Sequence, residues 1–475
     1  MRNILVFIIC LTLFLSLCIA FDLTPYLRGP APYPPEWRWD YLFVNTYTRI
    51  WLPILISVII VVVFKKLETE KANWISANQT FVITTFIVLG FIFQLSTLFF
   101  NRAGIEVLLH RIINPGLNGY FTSSVEITNV FDFFRNFNNI VLNLHQHAEG
   151  HPPLSVLFFY FINKLFLLVP FLNSFVEMIS PNTDDVRTIW NSLLPNEKLG
   201  ALFSTLFIPF LSSLVIVPLF YISKKLYGQK SAVRTAFLYC FIPGIALFQP
   251  INDVFITIFP LFSLLLFIKA LDRRSLVSAF ASGVIFTVGL LFSLSLLPLL
   301  VVFGVYGLKF LRQIKILSVF AISLLLIPFA LLILFGFNSI TVFKTIMSGL
   351  PESRSYLSWV IYNPYDFSIF LGPGIAILYI HSLYKSHTGS VSAKFKNDPL
   401  LLGTLIMILL LISSGSVRGE VGRIWIPFMP FLLLPVVGFI TSKKGLNFSS
   451  KEIIFLALSQ IGLILVINEY WVTLW

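Results

Sequence analysis

Uninterrupted apolar runs of about 16–22 residues recur along nearly the whole of this chain, the length an α-helix needs to cross the hydrocarbon core of a bilayer. They fall near 3–21, 50–64, 80–100, 199–222, 232–249, 254–270, 316–336, 368–384, 399–413, 424–441 and 452–468. Charged residues make up 11% of the 475, well under half the ~25% of soluble domains, so a water-soluble fold has nowhere to bury this surface. The runs are continuous and do not alternate with period two, which excludes a β-barrel. The fold class expected is an all-α polytopic membrane protein.

The net charge of +12 does not point to nucleic acid. Lys65-Lys66, Lys224-Lys225 with Lys230 and Arg234, Arg273-Arg274, Arg312 with Lys315, and Lys443-Lys444 sit in short connections, where the positive-inside bias places them on the cytoplasmic side. No basic stripe carries interleaved aromatics, so no nucleic-acid partner is expected. The stretch 276–311 is basic at both ends and reads as a hairpin of two crossings turning near 293–298. Cys10, Cys18 and Cys240 all lie in apolar runs and give neither a disulfide framework nor a metal spacing. The first run is expected to stay as an uncleaved helix with Arg2 in the cytoplasm, because Cys18-Ile19-Ala20 makes a poor cleavage site.

Alternating sides from run to run puts loop 101–151, Asp253, loop 337–367 (with Glu352, Arg354, Trp359 and Asp366) and the stretch 413–423 on one face, the non-cytoplasmic one. One segment resists this scheme. An even number of crossings is required across 152–198, and a single apolar run is present. Either that run is a two-armed or re-entrant hairpin, or one basic loop breaks the charge bias.

The polar residues on that face are the candidates for chemistry. NIVLNLHQHAEGHPPL (139–154) holds His145, His147, Glu149 and His151 beside an apolar run. His145 and His147 suit an extended ligand pair, with His147 and His151 at i,i+4, so a divalent cation is one reading. Imidazoles at a helix start, binding phosphate or moving protons, are a second, and an inert loop is a third. Asp132 and Glu126, in an amphipathic stretch just upstream, are the nearest candidates for a general base. Another amphipathic stretch, NRAGIEVLLHRII, reads as a helix lying flat on the membrane. Asp253, in QPINDVF, stands at the mouth of two apolar helices, where an ionisable group is costly unless it functions, or caps the helix that follows. Arg418, Glu420 and Arg423 lie between two apolar runs; guanidinium forks suit phosphate oxygens, and a local Arg–Glu pair is the plainer reading. The segment 21–41 carries five prolines, which forbid a regular helix, with Trp37 and Trp39 as interfacial anchors. Its Asp22, Arg28 and Glu36 either share in a site or order an interfacial loop.

Taken together, three stretches resemble the membrane-embedded GT-C glycosyltransferases, in particular the glycosyltransferase-39-like or mannosyltransferase-like group. NPGLNGYFTSSVEITNVFDFFRNF…LHQHAEGHPPLSVLFF is similar to that family's first catalytic external loop. KLYGQKSAVRTAFLYCFIPGIALFQPINDVF is similar to a later helix pair opening on aspartate, and RGEVGRIWIPFMPFLLLP to its late R-x-E-x-x-R-I-W segment. The resemblance implies a GT-C-like bundle of about 12–14 transmembrane helices, each near bilayer length, with amphipathic helices in external loops. An N-terminal helix pair with its Pro/Trp-rich loop (1–79) departs from the family's pattern as an addition before the expected catalytic module over 80–475, and no soluble domain is expected. It implies an inverting transferase of a prokaryotic plasma membrane, moving a sugar from a polyprenyl-phosphate donor to a lipid, glycan or protein acceptor on the non-cytoplasmic face. His151 would then meet the donor phosphate, with Glu149 near a carboxylate that sometimes precedes it and Asp253 matching the family's later aspartate. The family's usual loop carboxylate falls near Asn118-Gly119-Tyr120, and here the residue is Asn118. A lipid-linked saccharide transporter or flippase, or a non-catalytic polytopic subunit, is the alternative; no internal repeat of the kind transporters carry is evident.

Overall fold

A computed structural model describes residues 2–43, 46–101, 104–348, 353–388 and 398–473. Glu352 and most of the basic connection after the 368–384 run lie outside the described residues. Among those residues no β-strand forms, and one isolated bridge joins Tyr41 to Trp471. The chain is an all-α polytopic membrane protein.

Among the described residues, seven helices are long and apolar enough to cross a bilayer: Asn3–Ala20, Tyr47–Thr69, Gln79–Phe99, Pro195–Tyr227, Asn252–Arg273, Leu311–Phe335 and Ser450–Tyr470. Two further pairs, Leu154–Phe166 with Pro170–Glu177 and Tyr356–Leu371 with Pro373–His387, bend by 87° and 113°. Leu276–Phe292, Leu294–Leu308, Pro399–Ser414 and Ile426–Thr441 are shorter apolar helices. The difference from a simple row of full-length spans comes largely from proline. The 232–249 run breaks into Gln229–Tyr239 and Pro243–Leu247, because the residue before Pro243 is driven to extended backbone. The expected loop 337–367 is largely helical, as Ser339–Ser348 and Tyr356–Leu371, so Trp359 and Asp366 sit on a helix.

The 152–198 segment forms two arms joined by a sharp bend. Leu154–Phe166 has 13 residues and reaches only about 20 Å, short of a hydrocarbon core of about 30 Å. The chain then turns through 87° into Pro170–Glu177. Beyond the turn it returns to its starting face, where Thr183 N donates to Glu106 Oε1 at 2.9 Å and Asp184–Ser192 packs on Glu106–Ile113. The segment has the shape of a re-entrant hairpin, and Pro195–Tyr227, ending near Lys224-Lys225, is long and apolar enough to cross a bilayer.

At that basic end Arg234 forks onto Glu68 with bonds of 3.0 and 2.8 Å, both side chains almost wholly buried. Ser450 Oγ donates to the same carboxylate, and Lys225 pairs with Asp272 at 2.7 Å. Asp272 and Asp253 belong to one span, so the ion pairs and Asp253 occupy opposite ends of the bundle. The first two helices are built into the core: Arg2–Ala20 packs on Ser450–Tyr470, and Trp51–Thr69 on Gln79–Phe99.

Candidate functional site

The histidine loop is shaped by a turn that lies against it. Gly119 has φ +64°, and a Cβ there would run into the main chain of Gln146 and His145, so only glycine lets the two strands of the loop approach. Ser123 Oγ accepts the His145 N–H at 3.2 Å. His147 itself takes φ +67°, a backbone conformation costing a non-glycine residue about 1–3 kcal/mol and concentrated at functional sites. Its carbonyl oxygen lies 2.8 Å from His151 Nδ1, and the Tyr120 hydroxyl lies 2.9 Å from the same nitrogen. Pro152 and Pro153 follow, fixing His151 in extended backbone immediately before the Leu154–Phe166 helix.

A second group meets this loop from the late part of the chain. Arg423, 8% exposed, donates from Nη2 to Glu420 Oε2 at 2.9 Å, and Glu420 is shared with Arg354 at 3.3 Å. The charge of Arg423 acts on Arg111, Tyr120, His147, His151 and Asp253, and that of Asp253 on Tyr120. Burial, reinforced by Arg423, pushes His147 down to about 2. Burial likewise takes His151 to about 4, opposed by its bond to the His147 carbonyl. Both rings are therefore neutral near pH 7. Burial drives the Tyr120 hydroxyl well above its ordinary value.

Arg111 lies behind Arg423, 1% exposed, bonded only to carbonyl and hydroxyl oxygens: those of Leu247, Gln249 and Thr473. Burial first, and Arg423 second, lower it to about 9. Asp366, 6% exposed, accepts the indole N–H of Trp39 at 2.8 Å and the Gly422 N–H at 2.8 Å, holding the turn that presents Arg423. Asn118 Nδ2, His147 Nε2, both amide atoms of Asn252, Arg423 Nε and Trp425 Nε1 are buried without a hydrogen-bond partner among the described residues. Buried polar groups are nearly always satisfied, so the unpartnered atoms of Arg423 and His147, which share one electrostatic neighbourhood, are suited to engage a polar ligand. His151 and Asp253 are partly exposed within this setting.

The structure thus brings together Asp253, His147, His151, Arg423 and Glu420 among the residues singled out from sequence. Others do not join them. Asp132 and Glu149 are exposed, as is Glu126, which faces His145 Nε2 at 2.8 Å in a surface pair. Arg418 is committed to the carbonyls of Gly415 and Arg354 and lies over the Tyr356 ring. Asp22 and Arg28 form a fork with two 3.0 Å bonds, and Glu36 accepts from Ser355 N and Trp359 Nε1 at 2.9 and 2.7 Å. These three order the proline-rich loop against the Tyr356–Leu371 helix. Glu106–Ile113, expected flat on the membrane, has nearly all its residues buried. Arg111, Tyr120 and Asn252 were not singled out from sequence, while Asp366 was noted only as a charge of its loop and Asn118 only as the residue standing where the family's loop carboxylate falls.

A metal finds no ready cage. Among the described residues no three His, Cys, Asp or Glu side chains converge as ligands. His145 turns to Glu126 at the surface, and the unpartnered nitrogen of His147 lies buried in the field of Arg423.

No family model matches the chain, and no curated protein matches it in sequence. Among solved structures, the Archaeoglobus fulgidus oligosaccharyltransferase, crystallised with Zn and sulfate, is similar at TM-score 0.41 and 14% identity. The match covers 77% of this chain and 52% of that one, so this chain spans about half the length of that protein. A likeness of that degree assigns neither donor nor acceptor.

Proposed function

We propose that this chain is a GT-C-type membrane glycosyltransferase, moving a sugar from a polyprenyl-phosphate donor to an acceptor hydroxyl on the non-cytoplasmic face with inversion at the anomeric carbon. The observation that carries the reading is Arg423: a buried guanidinium with an unpartnered Nε, set among neutral imidazoles, a carboxylate and a buried tyrosine. A guanidinium in a low-dielectric setting is a strong partner for phosphate oxygens, and it stabilises the charge that grows on a departing phosphate. The neutrality of His147 and His151 makes them hydrogen-bonding groups and leaves the cationic role to Arg423 and, behind it, Arg111. Asp253 suits the hydroxyls of a sugar, which donate to carboxylates. Of the four carboxylates singled out as catalytic candidates from sequence, Asp253 is the one whose charge acts within this group; Glu420 is held by Arg354 and Arg423, and His151 is a further group there able to take a proton.

The test is transfer of label by the purified protein from a radiolabelled polyprenyl-phosphate sugar to a membrane extract containing acceptors. Arg423→Ala should cost roughly 10²–10³ in kcat, the loss seen when a charge-stabilising donor is removed. Asp253→Asn should also impair transfer, and Asp132→Asn should leave it unchanged. A wild-type protein that transfers no label from any such donor refutes the reading, as does full activity in Arg423→Ala.

A further inference from the structure

We propose that His151 is the proton acceptor of the transfer reaction, acting through Nε2 while the main-chain carbonyl of His147 holds Nδ1. This deepens the glycosyl-transfer reading and rests on it. The argument starts with the tautomer. A carbonyl oxygen can only accept, so at 2.8 Å from the His147 carbonyl, Nδ1 of the neutral ring carries the hydrogen. The Tyr120 hydroxyl, 2.9 Å from the same nitrogen, meets an N–H and turns its oxygen to it. The ring's lone pair is left on Nε2, the atom farther from both anchors.

The ring is also immobilised. His147 bears the cost of φ +67° in the turn that carries the carbonyl facing the ring four residues on. Pro152 restricts the His151 backbone, and the Tyr120 and His151 rings meet edge-to-face with centroids 5.1 Å apart. A carbonyl that selects the tautomer and an aromatic edge that fixes the plane are what a proton acceptor needs from its surroundings.

The rivals are few. Asn118 is an amide and takes no proton. Asp132, Glu126 and Glu149 are exposed. Glu420 is paired with both Arg354 and Arg423. Asp253 remains, and it is the comparison the experiment makes. Burial first and the charge of Arg423 second keep the ring low, at about 4. The groups facing it are Tyr120, His147 and Arg423. A donor phosphate seated at Arg423 brings negative charge that opposes the second cause, so donor binding raises the basicity of His151 toward neutral pH.

In the step itself, the acceptor O–H bond breaks and its proton passes to Nε2. The oxygen forms a bond to the anomeric carbon, and the carbon–oxygen bond to phosphate breaks with its electron pair leaving on polyprenyl phosphate. The imidazolium returns its proton to the released phosphate or to water.

The experiment uses the full-length protein and the labelled donor. In His151→Asn the amide N–H can replace Nδ1–H at the His147 carbonyl, so the loop is kept and the base removed. Donor binding should stay within about 3-fold of wild type while kcat falls by roughly 10²–10⁴. His151→Ala should show the same loss, and free imidazole should restore about 10-fold or more, tracking the unprotonated fraction of the added base; Asp253→Asn should gain nothing from imidazole. Wild-type kcat in His151→Asn overturns the inference, as does a loss in His151→Ala that imidazole leaves unchanged while donor still binds. Loss of donor binding in both variants also overturns it, assigning the ring to the phosphate or to the fold. Absence of transfer by the wild type refutes the parent reading itself.

Discussion

At the scale of single residues, the two half-buried histidines carry a consequence for stability that does not depend on any substrate. Both are held below the ordinary histidine value of 6.5, chiefly by burial. Below about pH 6.5 the unfolded chain therefore binds protons that the folded protein refuses, so stability falls as pH falls. For His151 the loss continues down to about 4, and for His147 to about 2. Each costs about 1.4 kcal/mol per pH unit across its window. Thermal unfolding in detergent should show a lower midpoint at pH 5 than at pH 7.5, and His147→Asn should reduce that difference. Equal midpoints in the wild type at the two pH values would mean that these rings are solvated and titrate normally.

At the scale of elements, the re-entrant hairpin is the feature whose placement governs everything after it. Leu168, Phe171 and Met178 are each about three-quarters exposed, at 77%, 76% and 77%, which suits a turn immersed in lipid and no turn in water. Single cysteines at Asn182 and Glu149, in a chain freed of its three native cysteines, should react with a membrane-impermeant maleimide from the same side. Labelling from opposite sides would mean that 154–177 crosses the bilayer, and the sidedness of every later element would invert. The hairpin was legible in the sequence only as a conflict of parity. What decides between its two solutions is the length of the first arm, set by where the helix stops, and helix ends inside a uniformly apolar stretch leave little local trace.

At the scale of the whole molecule, the apolar runs were readable because span length and continuity are local properties. The breaks within them were less so. Pro243 sits in an apolar context that reads as one helix from 232 to 249. The site divides in the same way. Asp253 and Arg423 were visible as charges where charge is expensive, and His147 and His151 as a polar cluster beside a span. Asp132 and Glu126 drew attention by sequence nearness to the histidines, but Asp132, in the first turn of Val130–Ile140, and Glu126, just past the end of Tyr120–Val125, are both exposed. Arg111 gave the opposite error. Its pattern, Ile105 to Ile113, is that of a surface helix, and it is buried only because residues 247–249 and 473 close over it. No window around residue 111 contains that information. The basic end of the bundle yields a test at this scale. Glu68→Gln leaves Arg234 buried beside a neutral amide, and breaking one partner of such a pair costs about 3–5 kcal/mol. The variant should show a markedly lower unfolding midpoint and little expression. An unchanged midpoint would show that water reaches the pair.

The Asp366 carboxylate, clasping Trp39 with one oxygen and the Gly422 N–H with the other, also sets a timetable for biosynthesis. The histidine loop emerges with less than a third of the chain made, yet the turn that presents Arg423 has no anchor until residues 366 and 422 are both inserted. The proline-rich loop, made first, must wait until about three-quarters of the chain is made for the helix it seals against. A nascent chain halted before residue 420 therefore carries every conspicuous histidine of the site and no finished site at all.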